Sequence, residues 1–162
     1  MSLRIRLRAT IWLLPLMAAS LTVDRPAAAQ EFDPEHPYRV AEDGTVDWYT
    51  FSGYRRYHAD CHVCHGPDGL GSSFAPALVD SLKRLSYDEF VEIVVNGRQN
   101  VSTASENVMP AFGLNQNVMC FLNDIYTYLK ARSDGAIPRG RPAKREDKPA
   151  EAKEHEDACL GT

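Results

Sequence analysis

The chain offers little that would commit it to a membrane, a nucleic acid or a β-fold. Past residue 29 no segment is apolar enough to cross a bilayer, a task that takes roughly 20 consecutive apolar residues. Basic residues are outnumbered, 18 Lys and Arg against 22 Asp and Glu, for a net charge of −4. Nucleic-acid binders carry a basic stripe, and none is present. No internal repeat is visible, so the sequence does not describe a solenoid. No stretch alternates apolar and polar residues well enough to make a convincing strand. Large apolar residues almost vanish after Ser133, and only four cysteines occur, at 61, 64, 120 and 159.

What is present starts with an export signal. Arg4, Arg6 and Arg8 precede an apolar run from Ala9 to Val23, and small residues follow at Ala27 and Ala29. That order reads as a signal peptide over 1–29, because the run is short for a membrane anchor. Its removal takes away four arginines and one aspartate, leaving 14 basic and 21 acidic residues and a net charge of −7. Export places the cysteines in an oxidising compartment, where disulfides form and persist.

Residues 30–45, acidic and carrying Pro34 and Pro37, read as an extended lead-in that wraps the domain. Trp48, Phe51, Tyr54 and Tyr57 recur at helical spacing, with Asp47 placed to cap the start. Gly53 interrupts that helix at a cost of about 1 kcal/mol against alanine, which implies a close packing partner. Gly66 to Leu78 is loop, with a short helical turn over about Val79 to Arg84. Ser86 and Glu89 form a capping box for a helix running to Val95, closed by Gly97. Arg98 to Asn115 reads as a long loop. The last strong helix is expected over Asn117 to Arg132, on the stripe Val118, Phe121, Leu122, Ile125 and Leu129. Residues 133–162 have the composition of a mostly disordered, charged tail, except where Cys159 is tied down. Three helices and long loops over 46–132 make a thin core, and a large apolar cofactor would supply the missing interior.

The segment Cys61-His62-Val63-Cys64-His65 is C-x-x-C-H, the pattern for covalent c-type haem attachment. Two thiols two residues apart can reach the two vinyl groups on one haem edge, and the adjacent His65 can turn its imidazole to the iron. Two rivals exist. Structural zinc would need two further ligands, but Cys120 and Cys159 lack paired spacing. A redox dithiol would need a βαβ setting, which is absent. For the sixth iron ligand "NVMPAFG" offers Met109, and Pro110 keeps it out of helical geometry. Met119 is a second candidate, but it sits beside the apolar stripe of a helix and reads as core filler. His36, His58, His62 and His155 are worse placed. The Pro76 carbonyl is a candidate acceptor for the second nitrogen of His65. Arg98 could meet a haem propionate or be an ordinary exposed arginine.

These residues resemble the class I c-type cytochromes, small all-helical proteins with one haem. The resemblance runs over about 46–132 and rests on "GYRRYHADCHVCHGPDGLG", "APAL", "SYDEFVEIVVNGR", "MPAFG" and "DIYTYLKAR". It implies thioethers at Cys61 and Cys64, axial ligands at His65 and Met109, and Pro76 as the histidine's acceptor. It also implies that Gly53 and Tyr57 on the first helix cross Tyr128 on the last. The lead-in, the extra cysteine pair and the charged tail look like the four-cysteine cytochromes linked to methanol metabolism. Those take electrons from quinoprotein (PQQ-containing) alcohol dehydrogenases in the periplasm. Cys120 and Cys159 are then expected to pair, the alternative being a buried Cys120 and a free Cys159.

The expected activity is that of a periplasmic one-electron carrier with no catalytic residues of its own. Its donor would be a quinoprotein alcohol dehydrogenase, and its acceptor a downstream cytochrome or terminal oxidase. A fixed haem subunit of a dehydrogenase or oxidase complex, and a haem-based sensor or peroxidase, are the alternative readings.

Overall fold

The computed structural model describes residues 32–101 and 106–161. The expected signal peptide over 1–29 lies outside them. Helix α1 spans Trp48–Asp60. It starts where the sequence places a cap: the Asp47 carboxylate accepts the Thr50 N–H at 2.9 Å. The same carboxylate accepts the Thr50 hydroxyl and the Arg39 N–H, both at 2.7 Å. It therefore fastens the lead-in to the helix. The lead-in wraps the domain further along, with Phe32 against the ring of Tyr87 at 5.0 Å and the Tyr38 hydroxyl donating to Asp134 at 2.9 Å.

A short helix α2 covers His62–His65, and a 3₁₀ turn covers Pro67–Gly69. Helix α3 is Leu78–Ser81, and α4 is Tyr87–Asn96 with both halves of its Ser86–Glu89 capping box formed. The expected last helix divides in two. Helix α5 is Gln116–Met119 and α6 is Leu122–Ser133, because Phe121 adopts φ −128°, ψ 23° and breaks the ladder between them. The apolar stripe survives the break, with Val118, Phe121, Leu122, Ile125 and Leu129 all buried.

The core forms where α1 crosses α6. Tyr57 and Tyr128 are completely buried, with ring centroids 5.6 Å apart. Tyr54 meets Tyr128 edge-on at 5.5 Å. Gly53 makes this possible: a Cβ there would stand 1.8 Å from the Asp124 carbonyl oxygen and 2.9 Å from the Tyr128 Cβ. The family's glycine–aromatic crossing is thus present as backbone contact.

Two expectations are corrected. The segment from Arg98 is not all loop: β1 (Arg98–Val101) pairs antiparallel with β2 (Glu106–Met109). The segment after Ser133 is ordered through Gly161. Its chain runs beside Val46, which donates to the Lys144 carbonyl at 3.2 Å and accepts from the Glu146 N–H at 2.9 Å. It then forms helix α7 over Ala150–Leu160. The Cys120–Cys159 disulfide, with Cα atoms 5.8 Å apart, binds α7 to α5. Arg56–Glu156 and Lys148–Glu156 ion pairs and a His155 Nε2 contact to the Cys120 carbonyl (2.8 Å) reinforce it. Composition pointed to disorder because this segment buries little apolar surface. A covalent link and ion pairs replace the missing core.

Candidate functional site

The C-x-x-C-H segment lies at the end of α1, where the aromatic crossing anchors it. The Tyr57 hydroxyl donates to the Gly66 carbonyl at 2.5 Å, and the Gly71 N–H donates to the His65 carbonyl at 2.8 Å. The loop therefore folds back on the motif. Gly66 faces its own loop, at φ +71° with a Cβ position 2.2 Å from the Gly71 oxygen.

Cys61 and Cys64 are free thiols, while the other two cysteines are joined. That removes the zinc reading, since no second cysteine pair is left to complete a site. Among the described residues no group of three or more metal-binding side chains occurs. The dithiol reading also loses support. Burial first, then the nearby Asp60, pushes the Cys61 thiol up to about 12, whereas reactive dithiols carry a lowered pKa.

His65 is buried, and its Nδ1 lies 2.9 Å from the Pro76 carbonyl. A carbonyl only accepts, so Nδ1 carries the proton and Nε2 is left with its lone pair. This is the arrangement that readies a histidine for a metal. Met109 closes the hairpin, as the partner of Arg98 in the ladder. Gly97, read from sequence only as a helix stop, has a second task. At φ +74° it brings the end of α4 against the Met109 strand, and a Cβ there would meet the Met109 oxygen at 2.6 Å. Nothing in the sequence signals that second role, because it depends on the hairpin folding back.

Cys61, Cys64, His65, Pro76 and Met109 all line one cavity of about 550 Å³. Its walls are mainly apolar and come from several elements, with Phe90 and Val94 of α4, Val118 of α5, and Leu122, Ile125 and Leu129 of α6. Cavities that bury whole cofactors run from about 300 to 1,000 Å³. Two free thiols, one tautomer-fixed imidazole, one thioether and apolar walls match a haem c in size and in donor chemistry. Met119 packs against the core and is not among the lining residues, and neither are His36, His58, His62 and His155. Arg98 lines the cavity and is exposed.

Residues 51–129 match the family described as cytochrome c oxidase, cbb3-type, subunit III. The chain is 60% identical over 123 residues to cytochrome c-553I of Paracoccus denitrificans, covering 76% of this chain and 54% of that protein. It thus spans about half the length of that relative. It is 43% identical over 100 residues to cytochrome c-555 of Methylococcus capsulatus, covering 61% of this chain and 75% of the relative. The crystal structure of c-type cytochrome XoxG from Methylobacterium extorquens AM1 matches with a TM-score of 0.66 at 52% identity, covering 82% of this chain and 85% of that one. The mostly helical architecture, the cavity and these similarities agree: the chain belongs to the class I c-type cytochromes, electron-transfer proteins that carry covalently bound haem c.

Proposed function

We propose that the chain is an exported, periplasmic one-electron carrier whose haem is joined through thioethers to Cys61 and Cys64. His65 Nε2 and Met109 Sδ would hold its iron. The observation that carries this reading is His65. Its Nδ1 is committed to the Pro76 carbonyl at 2.9 Å, inside a cavity that Met109 also lines. When bound, haem c supplies the one-electron iron couple, and histidine–methionine ligation favours a raised potential. The protein's own residues hold the ligand tautomer, exclude water with apolar walls and leave the mouth accessible. Val63, between the two cysteines, is 73% exposed, while Phe74 and Val108, both at the cavity, are 72% and 56% exposed. Phe74 and Val108, exposed apolar side chains at the cavity, suit a small, transient docking contact.

The donor we propose is a quinoprotein (PQQ-dependent) alcohol or methanol dehydrogenase, with a downstream cytochrome or terminal oxidase as acceptor. The support is the resemblance to the four-cysteine cytochromes together with the ordered Cys120–Cys159 link. Stopped-flow reduction of the holoprotein by candidate quinoprotein dehydrogenases, each with its alcohol, tests it. Reduction faster than that of an unrelated cytochrome is expected, and parity across all donors would remove the assignment. A second reading, a fixed haem subunit of an oxidase, draws on the description of the matching family. Its signature would be a stoichiometric complex that survives gel filtration at high salt.

A further inference from the structure

The turn that follows His65 is held from outside by the segment after α6. Among the described residues Asp68 is the one non-glycine with positive φ, at 60°. Its side chain is 7% exposed. It accepts the Gly140 N–H at 3.0 Å, the Arg139 Nε–H at 3.3 Å and the Tyr128 hydroxyl at 3.4 Å. His58 Nε2 stands 3.9 Å away. Burial opposes the carboxylate's charge, but the Gly140 N–H, the Arg139 guanidinium and the nearby Arg132 and His58 outweigh it and hold the pKa below the ordinary 3.8. Asp68 is therefore a buried anion at neutral pH, three residues past His65.

The same turn backs onto the cavity wall. A Cβ on Gly69 would meet Leu129 Cδ2 at 3.2 Å and Leu78 Cβ at 3.7 Å, and both leucines line the cavity. A charge with so little exposure is screened less by ions than a surface charge is. Its counter-charge comes from Arg139, in the segment whose composition suggests a mere tail.

We propose that Asp68 and Arg139 are positioning residues forming a charge pair that sets the reduction potential of the haem centre, making the post-α6 segment part of the redox machinery. This rests on the placement of haem in the cavity. The oxidised centre carries one more positive charge than the reduced one, so the carboxylate favours oxidation and lowers the potential. The guanidinium opposes it.

Potentiometric titration of holoprotein at one pH and ionic strength separates charge from structure. Asp68→Asn keeps an acceptor for Gly140 and tolerates the left-handed backbone. It should raise the potential. Arg139→Gln should lower it, by less and with a shift that fades in high salt, since this side chain is 65% exposed. The double variant should lie closer to wild type than Asp68→Asn does. Single-variant shifts of the same sign, or no shifts, overturn the proposal. If Asp68→Asn does not accumulate as holoprotein, Arg139→Gln and Arg139→Glu decide. A downward shift that grows from Gln to Glu supports the pair, and equal or absent shifts overturn it. Wild-type protein without covalent haem by pyridine haemochrome assay would overturn the haem placement itself, a result distinct from any pattern of shifts.

Discussion

Arg98 and Met109 are cross-strand partners, the pair that closes the hairpin at its base, and both line the cavity. A residue that looks stranded in a polar loop is thus delivered to the site by a short ladder. If Met109 supplies the sixth ligand, Met109→Ala should change the absorption spectrum of the oxidised holoprotein, lower its potential and allow carbon monoxide to bind the reduced form. Met119→Ala should leave all three unchanged and cost about 1–2 kcal/mol of stability, since Met119 only packs against the core. An unaltered spectrum in Met109→Ala would end the ligand assignment.

Gly97 gives a second handle on the same hairpin. Alanine there would carry an unfavourable positive φ and place its Cβ 2.6 Å from the Met109 oxygen and 2.9 Å from the Ala111 nitrogen. Strain and clash together should cost about 2–3 kcal/mol in a denaturant melt. The same variant should also show a spectral change in the direction of Met109→Ala, because the strand that presents the sulfur must shift. A destabilised protein with an untouched spectrum would show that the glycine supports the fold alone.

Local chemistry explains what the sequence disclosed. C-x-x-C-H is a contiguous pattern, the Ser86–Glu89 box is a three-residue signal, and the Gly53 penalty pointed to a close crossing. Each of these depends on neighbours in the chain. The hairpin was hidden because Arg98–Val101 and Glu106–Met109 are polar segments without a period-two apolar face. Helix α7 was hidden because it buries little besides Ala152, and its attachment rests on a disulfide and ion pairs to residues far away in sequence. The break at Cys120–Phe121 was hidden because the apolar stripe continues through it. Asp68 falls in a segment read as loop and Gly97 reads as a helix stop, but their partners, Arg139 and the Met109 strand, come from segments read as irregular.

Gly53→Ala tests the helix crossing. A methyl 1.8 Å from a backbone oxygen of α6 cannot be relieved by rotating a side chain, so the helices must separate. The expected loss is about 3 kcal/mol or more, read as a collapse in holoprotein yield or a large drop in melting temperature. A variant within about 0.5 kcal/mol of wild type would mean that the two helices have room to move.

The disulfide closes 39 residues of sequence separation. In the chain-entropy account a loop of that length adds about 4 kcal/mol by restricting the unfolded chain. The paired replacement Cys120→Ser with Cys159→Ser should lose about 3–4 kcal/mol in denaturant melts. It should leave the haem spectrum intact, because neither cysteine lines the cavity. Loss of the spectrum at full stability would reverse that division of labour.

Asp124 supplies the pH dependence. It lies on α6 at the α1 crossing, and burial raises its pKa from 3.8 to about 6, against the opposing pull of the Ser52 hydrogen bond and the charges of His155 and Arg56. The folded protein therefore binds this proton more tightly than the unfolded chain does. The group's contribution to stability is complete below about pH 4 and is lost as pH rises through about 6. A two-unit shift corresponds to about 3 kcal/mol at most, and partial exposure reduces this to about 2. Asp124→Asn, which keeps an acceptor for Ser52, should be more stable than wild type at pH 7 by about that amount. The advantage should shrink to nothing near pH 4. Stability curves for the two proteins that stay parallel from pH 4 to 7.5 would mean that the Asp124 carboxyl titrates alike in the folded and unfolded chains.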